Sequence, residues 1–535
     1  MSSIRFFILL VFVFIVSLNR MNAAISVAET IPVPTHITLG TGEFLLNGEC
    51  GTNFTNDNFD VAQWFRHELF RLAGIKLALP GSTPARTIFL IQNEKLPDSL
   101  GKEGYLLSIS PDKIEVKARH SRGLFYGLTT LLQAAWLGQK NDQVAITCAE
   151  VIDKPTFAWR GMHLDVARHF FTADEVKKYM DYMSLFKMNT LHLHLNDDQG
   201  WRLDIEAFPK LTRVGSKRRR TLVGHLKDKP EKYKSTPVEG FYTKADIQNL
   251  VDYARRRQIN IVPEIDFPGH MQAAIAAYPW LGSTKEPIDV WDKWGVSENI
   301  MVPSDSSIQF LKQVFTEVAD MFPGKYIHIG GDEAVKKQWE NNDQVKKVME
   351  IKGITELEKL QAWMINEIRK HVKPMGKKLI GWDEIVEGQA DTSVTVMVWR
   401  AWGGKKTAAE ATAKGYDVIL TPTEYCYFDY YQSSKKPQPL AIGGMLPLSK
   451  VYSFTPFESV APEHKNKVKG VQGNVWTEYM PTFAQVEYMA MPRMFALSEI
   501  GWTNPVVKNH YDFKERTAKL CTKFKEMRVI CGPIE

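Results

Sequence analysis

Two carboxylates stand side by side after a pair of glycines in the stretch IHIGGDEA, residues 327–334. Neighbouring side chains of a pleated strand point to opposite faces. Asp332 and Glu333 can therefore serve one pocket only if the strand ends beside them. The glycines permit such an ending, because they adopt backbone conformations that other residues avoid. For one of them to stay ionised beside a protonated neighbour, their surroundings would have to separate the two pKa values.

Polar and aromatic residues follow most of the other strand-like segments of the chain. They are Arg168, Asp197, Asp198, Asp266, His270, Trp382, Asp383, Tyr427, Asp429, Trp476 and Glu478. Each of them alone could be a helix cap or a loop anchor, and His270 alone would be interpreted as a loop histidine. Together, carboxylates, an arginine and tryptophans suit a sugar, whose hydroxyls take polar contacts while its apolar face stacks on an indole ring.

Alternating strand and helix patterns between Trp159 and Trp502 would position these residues. The eight strand candidates are Gly161 to Val166, Thr190 to Leu195, Asn260 to Ile265, Tyr326 to Ile329, Lys378 to Trp382, Val394 to Trp399, Asp417 to Leu420 and Gly470 to Val475. Helix-patterned segments between them include residues 173–186, 244–257, 357–372 and 482–500. This alternation predicts a (β/α)8 TIM barrel, an α/β fold whose active sites lie at the C-terminal ends of the strands. No GxGxxG turn follows a strand to favour a dinucleotide-binding sheet instead.

The rest of the chain divides into smaller units. Residues 28–152 mix strand and helix patterns and predict an N-terminal non-catalytic α/β domain, residues 153–505 the catalytic barrel, and residues 506–535 a C-terminal helical segment packed on the barrel. Residues 1–24 resemble an export signal: Arg5 precedes the apolar run 6–16, which is too short to span a membrane comfortably. We therefore expect a periplasmic or extracellular protein that is not inserted in the membrane once the signal is removed.

Composition excludes few partners. The net charge is +6 over 535 residues, and the basic run 217–220 is interpreted as a charged surface loop because no aromatic stacking residues accompany it. We expect no nucleic-acid binding. Five cysteines without CxxC spacing predict neither a zinc site nor a dense disulfide framework. No cofactor and no metal are expected, and the protein is expected to be a monomer or a homodimer.

Six strings of the barrel segment carry a family resemblance. They are WRGMHLDVARHF (159–170), LHLHLNDDQGWR (191–202), VPEIDFPGH (262–270), HIGGDEA (328–334), GWDEI (381–385) and GNVWTEY (473–479). In this order they resemble the β-N-acetylhexosaminidases of glycoside hydrolase family twenty. The string HSRGLFYGLTTLLQAA (120–135) is similar to the non-catalytic domain that commonly precedes that barrel.

The resemblance implies a retaining exo-enzyme that releases terminal β-linked GlcNAc, or also GalNAc, from glycans or chitooligosaccharides. In this class the substrate's own 2-acetamido oxygen attacks the anomeric carbon. Glu333 would be the general acid and base, and Asp332 would hold the acetamido N–H. Asp197 and His270 would support Glu333. By the same resemblance the sugar and its acetamido group would be bound by Arg168, Trp363, Trp382, Tyr427, Asp429, Trp476 and Glu478.

Three other interpretations remain open at this point. A family member could release a disaccharide instead of a single sugar. A metal-dependent barrel hydrolase is possible because His192 and His194 lie on one face of a strand with Asp197 and Asp198 nearby. A glycan-binding protein without activity is the third, although a barrel that had lost its activity should have lost one of its two central carboxylates, and both are present.

Overall fold

The computed structural model describes residues 24–79 and 84–535. The export signal predicted for residues 1–24 lies, except for Ala24, outside the described residues. Within the described part of the chain, no helix is both long and apolar enough to cross a membrane.

The N-terminal unit is a six-stranded sheet in the order β1-β6-β4-β5-β3-β2. Its strands are β1 (His36–Leu46), β2 (Cys50–Asn53), β3 (Arg86–Gln92), β4 (Tyr105–Ile109), β5 (Lys113–Ala118) and β6 (Val144–Asp153). Two helices accompany it, α1 (Phe59–Ala73) and α2 (Ser121–Gly138). Tyr105, Leu107 and Ile109 alternate with less buried residues along β4, as expected of a strand with one face toward a core.

The second unit is a closed barrel of eight parallel strands, which confirms the predicted fold class. Its strands are β7 (Trp159–Asp165), β8 (Thr190–His194), β9 (Asn260–Glu264), β10 (Tyr326–His328), β11 (Lys378–Trp382), β12 (Thr395–Val398), β13 (Val418–Leu420) and β14 (Val468–Gly473). Each predicted strand corresponds to one of them. All five residues of β8 are buried, because barrel strands face the lumen on one side and helices on the other.

The longer helices after the N-terminal unit surround or follow the barrel. They are α3 (Ala173–Leu185), α4 (Lys244–Arg255), α5 (Asp305–Met321), α6 (Asp343–Lys352), α7 (Leu357–Val372), α8 (Ala401–Ala413), α9 (Phe483–Ala490), α10 (Arg493–Trp502) and α11 (His510–Glu526). Thr172 and Glu175 form a capping box that begins α3. The single helix predicted over 482–500 is wrong: it is two helices, separated at Pro492, since proline interrupts a helix ladder.

The connection between β8 and β9 carries short antiparallel strands. They are Asn196–Asp197, Gly200–Trp201, Lys217–Arg218, Thr221–Val223, Lys232–Lys234 and Val238–Glu239. The basic run 217–220 is therefore only partly the surface loop that its charge predicted. Arg218 is buried, and its guanidinium donates to the backbone oxygen of Gln199 at 3.0 Å.

Buried polar groups join the two units. The Asp153 carboxylate at the end of β6 accepts hydrogen bonds from Tyr105 at 2.8 Å, Trp502 at 2.7 Å and Lys187 at 3.1 Å. The C-terminal helix α11 touches both units through Phe524, whose ring lies 5.3 Å from that of Trp136 and 6.0 Å from that of Phe186.

Candidate active site

The glycine pair after β10 turns the chain so that both carboxylates reach one cleft. Gly330 and Gly331 have φ values of +61° and +91°, in the left-handed region that favours glycine. A Cβ on Gly330 would meet Asp266 Oδ1 at 1.8 Å, so no other residue fits. The Gly331 N–H donates to the same oxygen at 2.9 Å. Glu333 itself has a φ of +46°, a costly conformation of the kind that collects at functional sites.

His270 stands between the two carboxylates. Its Nε2 lies 3.7 Å from Asp332 Oδ2 and 3.7 Å from Glu333 Oε2. The Asp332 side chain is 12% exposed, whereas the Glu333 side chain is 43% exposed. One carboxylate therefore lies at the floor of the cleft and the other at its opening.

The surroundings separate the two pKa values, but in the direction opposite to the catalytic roles that the resemblance implies. Burial raises the pKa of Asp332 well above its ordinary value, and the nearby Asp266 adds to this rise. Burial acts upward on Glu333 as well, but His270 outweighs it and holds the pKa of Glu333 below its ordinary value. Asp332 therefore keeps its proton to a higher pH than Glu333 does.

Asp197 and His270 form the contact expected of them. His270 Nδ1 lies 3.2 Å from Asp197 Oδ1. Burial alone would lower the pKa of His270, but Asp197 raises it well above its ordinary value, so His270 carries a positive charge. Asp197 Oδ2 also pairs with Arg168 Nη2 at 2.8 Å, which ties the support of Glu333 to a predicted sugar-binding residue.

Arg168, Asp429 and Glu478 lie on the same side of the cleft. Arg168 Nη1 is 3.9 Å from Glu478 Oε1, and its guanidinium carbon lies 5.1 Å from the ring centroid of Trp476. Burial raises the pKa of Asp429 well above its ordinary value, and Glu478 adds to the rise. Within the described residues, one buried oxygen each of Asp332, Asp429 and Glu478 has no hydrogen-bond partner. Buried acceptors of this kind are the groups that sugar hydroxyls and amides would satisfy.

Aromatic rings form a box beside Asp332. The centroids of Trp382 and Trp476 are 5.9 Å apart, and Tyr427 lies 6.5 Å from Trp476. Trp399 stacks on Tyr427 with centroids 6.0 Å apart and an interplanar angle of 24°. Its Nε1 donates to Glu384 at 3.0 Å. We refer to Trp382, Trp399, Tyr427 and Trp476 as the aromatic box.

The structure does not bring Trp363 into the aromatic box. Trp363 lies in α7 outside the barrel strands, and its ring contacts Lys352 Nζ of the preceding helix at 5.2 Å. The expectation that it walls the pocket is corrected: Trp399 occupies that place. One sequence feature could have found Trp399, because it ends the sixth predicted strand just as Trp382 ends the fifth. Trp363 instead belongs to the helix-patterned segment 357–372, so the sequence did not place it at the end of a strand.

Beneath the aromatic box, the barrel lumen holds an acidic group among histidines. Glu264 Oε1 accepts a hydrogen bond from Trp382 Nε1 at 2.9 Å, and Glu264 Oε2 contacts His194 Nδ1. His192 Nε2 and His328 Nδ1 lie 3.2 and 2.9 Å from the same carboxylate. His163, His194 and Glu264 present ligand-type atoms within 4.8 Å of one another, and so do His192, Glu264 and His328. Among the described residues the same holds for Asp197, Asp198 and His270 and for Asp266, His270 and Asp332. The metal-site alternative, which named His192, His194, Asp197 and Asp198, therefore concerns both the lumen and the cleft.

Comparison with known families gives two matches that together span most of the chain. Residues 157–505 match "Glycosyl hydrolase family 20, catalytic domain". Residues 27–154 match "Glycosyl hydrolase family 20, domain 2".

Individual relatives and solved structures agree with these matches. A beta-hexosaminidase of Porphyromonas gingivalis is 35% identical over 504 residues, which cover 92% of this chain and 63% of that protein. This chain thus spans under two thirds of that relative's length. A beta-hexosaminidase of Vibrio furnissii is 31% identical, covering 88% of this chain and 76% of its own. The crystal structure of the GH20 exo beta-N-acetylglucosaminidase of Vibrio harveyi in complex with N-acetylglucosamine superposes with a TM-score of 0.83 at 28% identity, over 96% of this chain and 79% of that one.

Proposed function

The chain belongs to glycosyl hydrolase family 20, and from this premise we propose that it is a retaining exo-β-N-acetylhexosaminidase. It removes single terminal β-linked GlcNAc residues, with GalNAc as a second substrate, from the non-reducing ends of glycans or chitooligosaccharides. The Vibrio harveyi structure that it resembles holds N-acetylglucosamine, which supports GlcNAc as the main substrate.

The observation that carries the proposal is the aromatic box beside Asp332, with Glu333 at the opening of the same cleft. Glycosidases with an enzyme nucleophile need a second carboxylate about 5 to 5.5 Å across the sugar from the acid. Here Asp332, the residue next to the acid, is instead buried close to Tyr427 of the aromatic box, whose rings could enclose an acetamido group. The attacking atom is then the substrate's own carbonyl oxygen.

Each residue of the cleft has one task in this reaction. Glu333 protonates the leaving oxygen and later takes a proton from water, while Asp332 accepts the acetamido N–H and stabilises the oxazolinium ion. Tyr427 donates to the acetamido oxygen, and the indoles of the aromatic box hold the methyl group. A well-oriented internal nucleophile supplies an effective molarity of roughly 10⁵ to 10⁸ M, or about 7 to 11 kcal/mol. Orientation is therefore the main catalytic contribution of the box.

The remaining predicted contacts bind the sugar ring. Arg168 donates to the 3- and 4-hydroxyls, Glu478 accepts from the 4-hydroxyl, and Asp429 accepts from the 6-hydroxyl. The unpartnered oxygens of Asp429 and Glu478 support this assignment. Since GlcNAc and GalNAc differ only at the 4-hydroxyl, Arg168 and Glu478 decide how far the enzyme tolerates both sugars.

We also propose that the protein is exported to the periplasm or the outside of the cell, where it would encounter its glycan substrates. The support is the basic and apolar leader of residues 5–16. Cell fractionation and N-terminal sequencing of the mature protein test this, and a cytoplasmic protein that still begins at Met1 would contradict it.

The decisive experiment compares aryl β-glycosides that share a leaving group and differ at carbon 2. A 2-acetamido glycoside should be cleaved with retention at a rate at least 10³-fold above that of its 2-hydroxy analogue. Equal rates, or a covalent sugar ester on the protein, would refute the internal nucleophile.

A disaccharide glycoside assayed in the same series tests whether the enzyme releases a disaccharide instead of a single sugar. Glu333→Gln should abolish turnover of natural oligosaccharides while leaving glycan binding intact; if the wild type shows binding and no turnover, the protein is a lectin.

A further inference from the structure

Glu264 is a buried carboxylate that the proposed reaction does not itself use. It is the last residue of β9 and is fully buried. Its Oε1 accepts a hydrogen bond from Trp382 Nε1 at 2.9 Å, and its Oε2 accepts one from His194 Nδ1. Two further histidines lie against the same oxygens: His328 Nδ1 is 2.9 Å from Oε1 and His192 Nε2 is 3.2 Å from Oε2. Trp382 and His194 belong to β11 and β8, so the carboxylate links strands on different sides of β9.

The second nitrogen of His194 faces another carboxylate. His194 Nε2 lies 2.9 Å from Asp197 Oδ2. A neutral imidazole carries only one N–H, so an imidazole bonded to two carboxylates must carry both protons and a positive charge. In agreement, burial alone would lower the pKa of His194, but Glu264 raises it well above its ordinary value.

Two arms therefore run from Glu264 to the reacting groups. The first passes through His194 and Asp197 to His270, which faces Glu333 and Asp332. The second passes through Trp382 to the aromatic box. One carboxylate thus holds both the support of the acid and a wall of the acetamido pocket.

The other charged and titratable groups around Glu264 leave this arrangement intact. Burial lowers the pKa of His163 well below its ordinary value and that of His192 to about 4, so both are neutral near pH 7. Gln472 Nε2 bonds His192 Nδ1 at 3.0 Å, and the Gly330 N–H donates to His328 Nδ1 at 3.0 Å. Asp266 lies two residues beyond the end of β9, and its carboxylate accepts a hydrogen bond from the Gly331 N–H.

We propose that Glu264 is a positioning residue of this hydrolase: its two oxygens fix His194 and Trp382 together, and so align the general acid with the acetamido pocket. This inference rests on the proposed function. It predicts that a side chain of the same shape with a single acceptor oxygen cannot serve both arms.

Glu264→Gln provides that side chain, because its amide has one oxygen and one NH2 group. The cleavage of 2-acetamido glycosides with a good leaving group, such as nitrophenyl, is compared with that of glycosides with a poor one, such as an alkyl alcohol or GlcNAc. Acid assistance matters most for the poor leaving group. For that substrate kcat/KM should fall on the order of 10- to 100-fold, by analogy with the removal of residues that orient metal ligands, and for nitrophenyl it should fall several-fold less.

A matched control separates positioning from folding. Glu499 is also a fully buried carboxylate, bonded to Arg516 at 2.8 Å and Tyr452 at 2.9 Å, outside the cleft. Glu499→Gln should lower the melting temperature and leave the ratio of the two rates unchanged. If Glu264→Gln is not recovered folded, Glu264→Asp, which keeps the charge but withdraws the oxygens by one methylene, should show the same leaving-group dependence at smaller amplitude.

The inference is overturned if the folded Glu264 variant keeps the wild-type ratio of the two rates, as expected of Glu499→Gln, whether or not both rates fall. A wild-type protein inactive on all 2-acetamido glycosides would instead refute the proposed function. The two failures are thus distinguishable in one set of assays.

Discussion

His270 Nε2 lies at the same distance, 3.7 Å, from Asp332 Oδ2 and from Glu333 Oε2. The two carboxylates respond differently to this shared positive charge. Burial and Asp266 dominate at Asp332 and raise its pKa, whereas His270 dominates at Glu333 and lowers it. Asp332 thus keeps its proton to a higher pH than Glu333 does, whereas the proposed reaction needs the proton on Glu333. An acetamido N–H bonded to Asp332 favours the ionised form of that group, so substrate binding would move the proton to the acid.

The first prediction concerns the pH dependence of Asp332→Asn. This variant removes the group whose pKa is raised and leaves Glu333, whose pKa is lowered, as the only holder of the proton. The alkaline limb of kcat/KM should therefore move to lower pH, and kcat should fall about 10²- to 10³-fold, as when one stabilising group of an intermediate is lost. Rates for an aryl GlcNAc glycoside between pH 4 and 9 test this. An alkaline limb at its wild-type position would contradict the proton assignment.

The second prediction compares two tryptophans. Trp399→Ala opens the aromatic box beside Tyr427 and should lower kcat/KM at least 10-fold for 2-acetamido substrates, because the internal nucleophile loses its orientation. Trp363→Ala removes a ring of the same size from α7, where it packs on Lys352 of α6, so it should change kcat/KM less than about twofold. Steady-state kinetics with thermal melts of both variants decide the point. If Trp363→Ala lowers kcat/KM more than Trp399→Ala does, Trp363 and not Trp399 forms the wall of the pocket.

The difference between these tryptophans shows where sequence is informative. All eight barrel strands could be predicted, because each is a buried apolar run and most end in polar or aromatic residues. The adjacency of Asp332 and Glu333 also predicted that both would reach one cleft, where they lie around His270. The place of Trp363 could not be predicted, since a family pattern fixes which residue types are needed but not which of several tryptophans the barrel turns inward. The role of Glu264 could not be predicted either, because it depends on hydrogen-bond donors in β8 and β11, which are far from Glu264 in the sequence.

The third prediction concerns the histidine cluster as a metal site. The oxygens of Glu264 already accept from Trp382 and His194, and His192 Nδ1 faces Gln472. Exhaustive dialysis against a chelator should therefore leave kcat/KM unchanged, with metal content measured on the same sample. If dialysis abolishes activity and added Zn²⁺ restores it, the protein is a metal-dependent hydrolase.

The last prediction concerns the joint between the two units. Asp153→Ala leaves Lys187 fully buried without its carboxylate, and Tyr105 and Trp502 lose their acceptor. Removing one partner of a buried ion pair costs about 3–5 kcal/mol, so urea unfolding near pH 7 should show a loss of that size. Burial lowers the pKa of Lys187 to about 8 even though Asp153 acts to raise it, and without Asp153 the pKa falls further. Because the unfolded lysine binds its proton more tightly, the variant should regain stability as pH rises, and its deficit should be smaller at pH 9 than at pH 6.

Asp98, whose side chain is 93% exposed beside Arg119, is the control, and its alanine variant should lose less than about 0.5 kcal/mol. Equal losses for the two variants, or a deficit at Asp153 that does not depend on pH, would show that Lys187 is not held by this carboxylate.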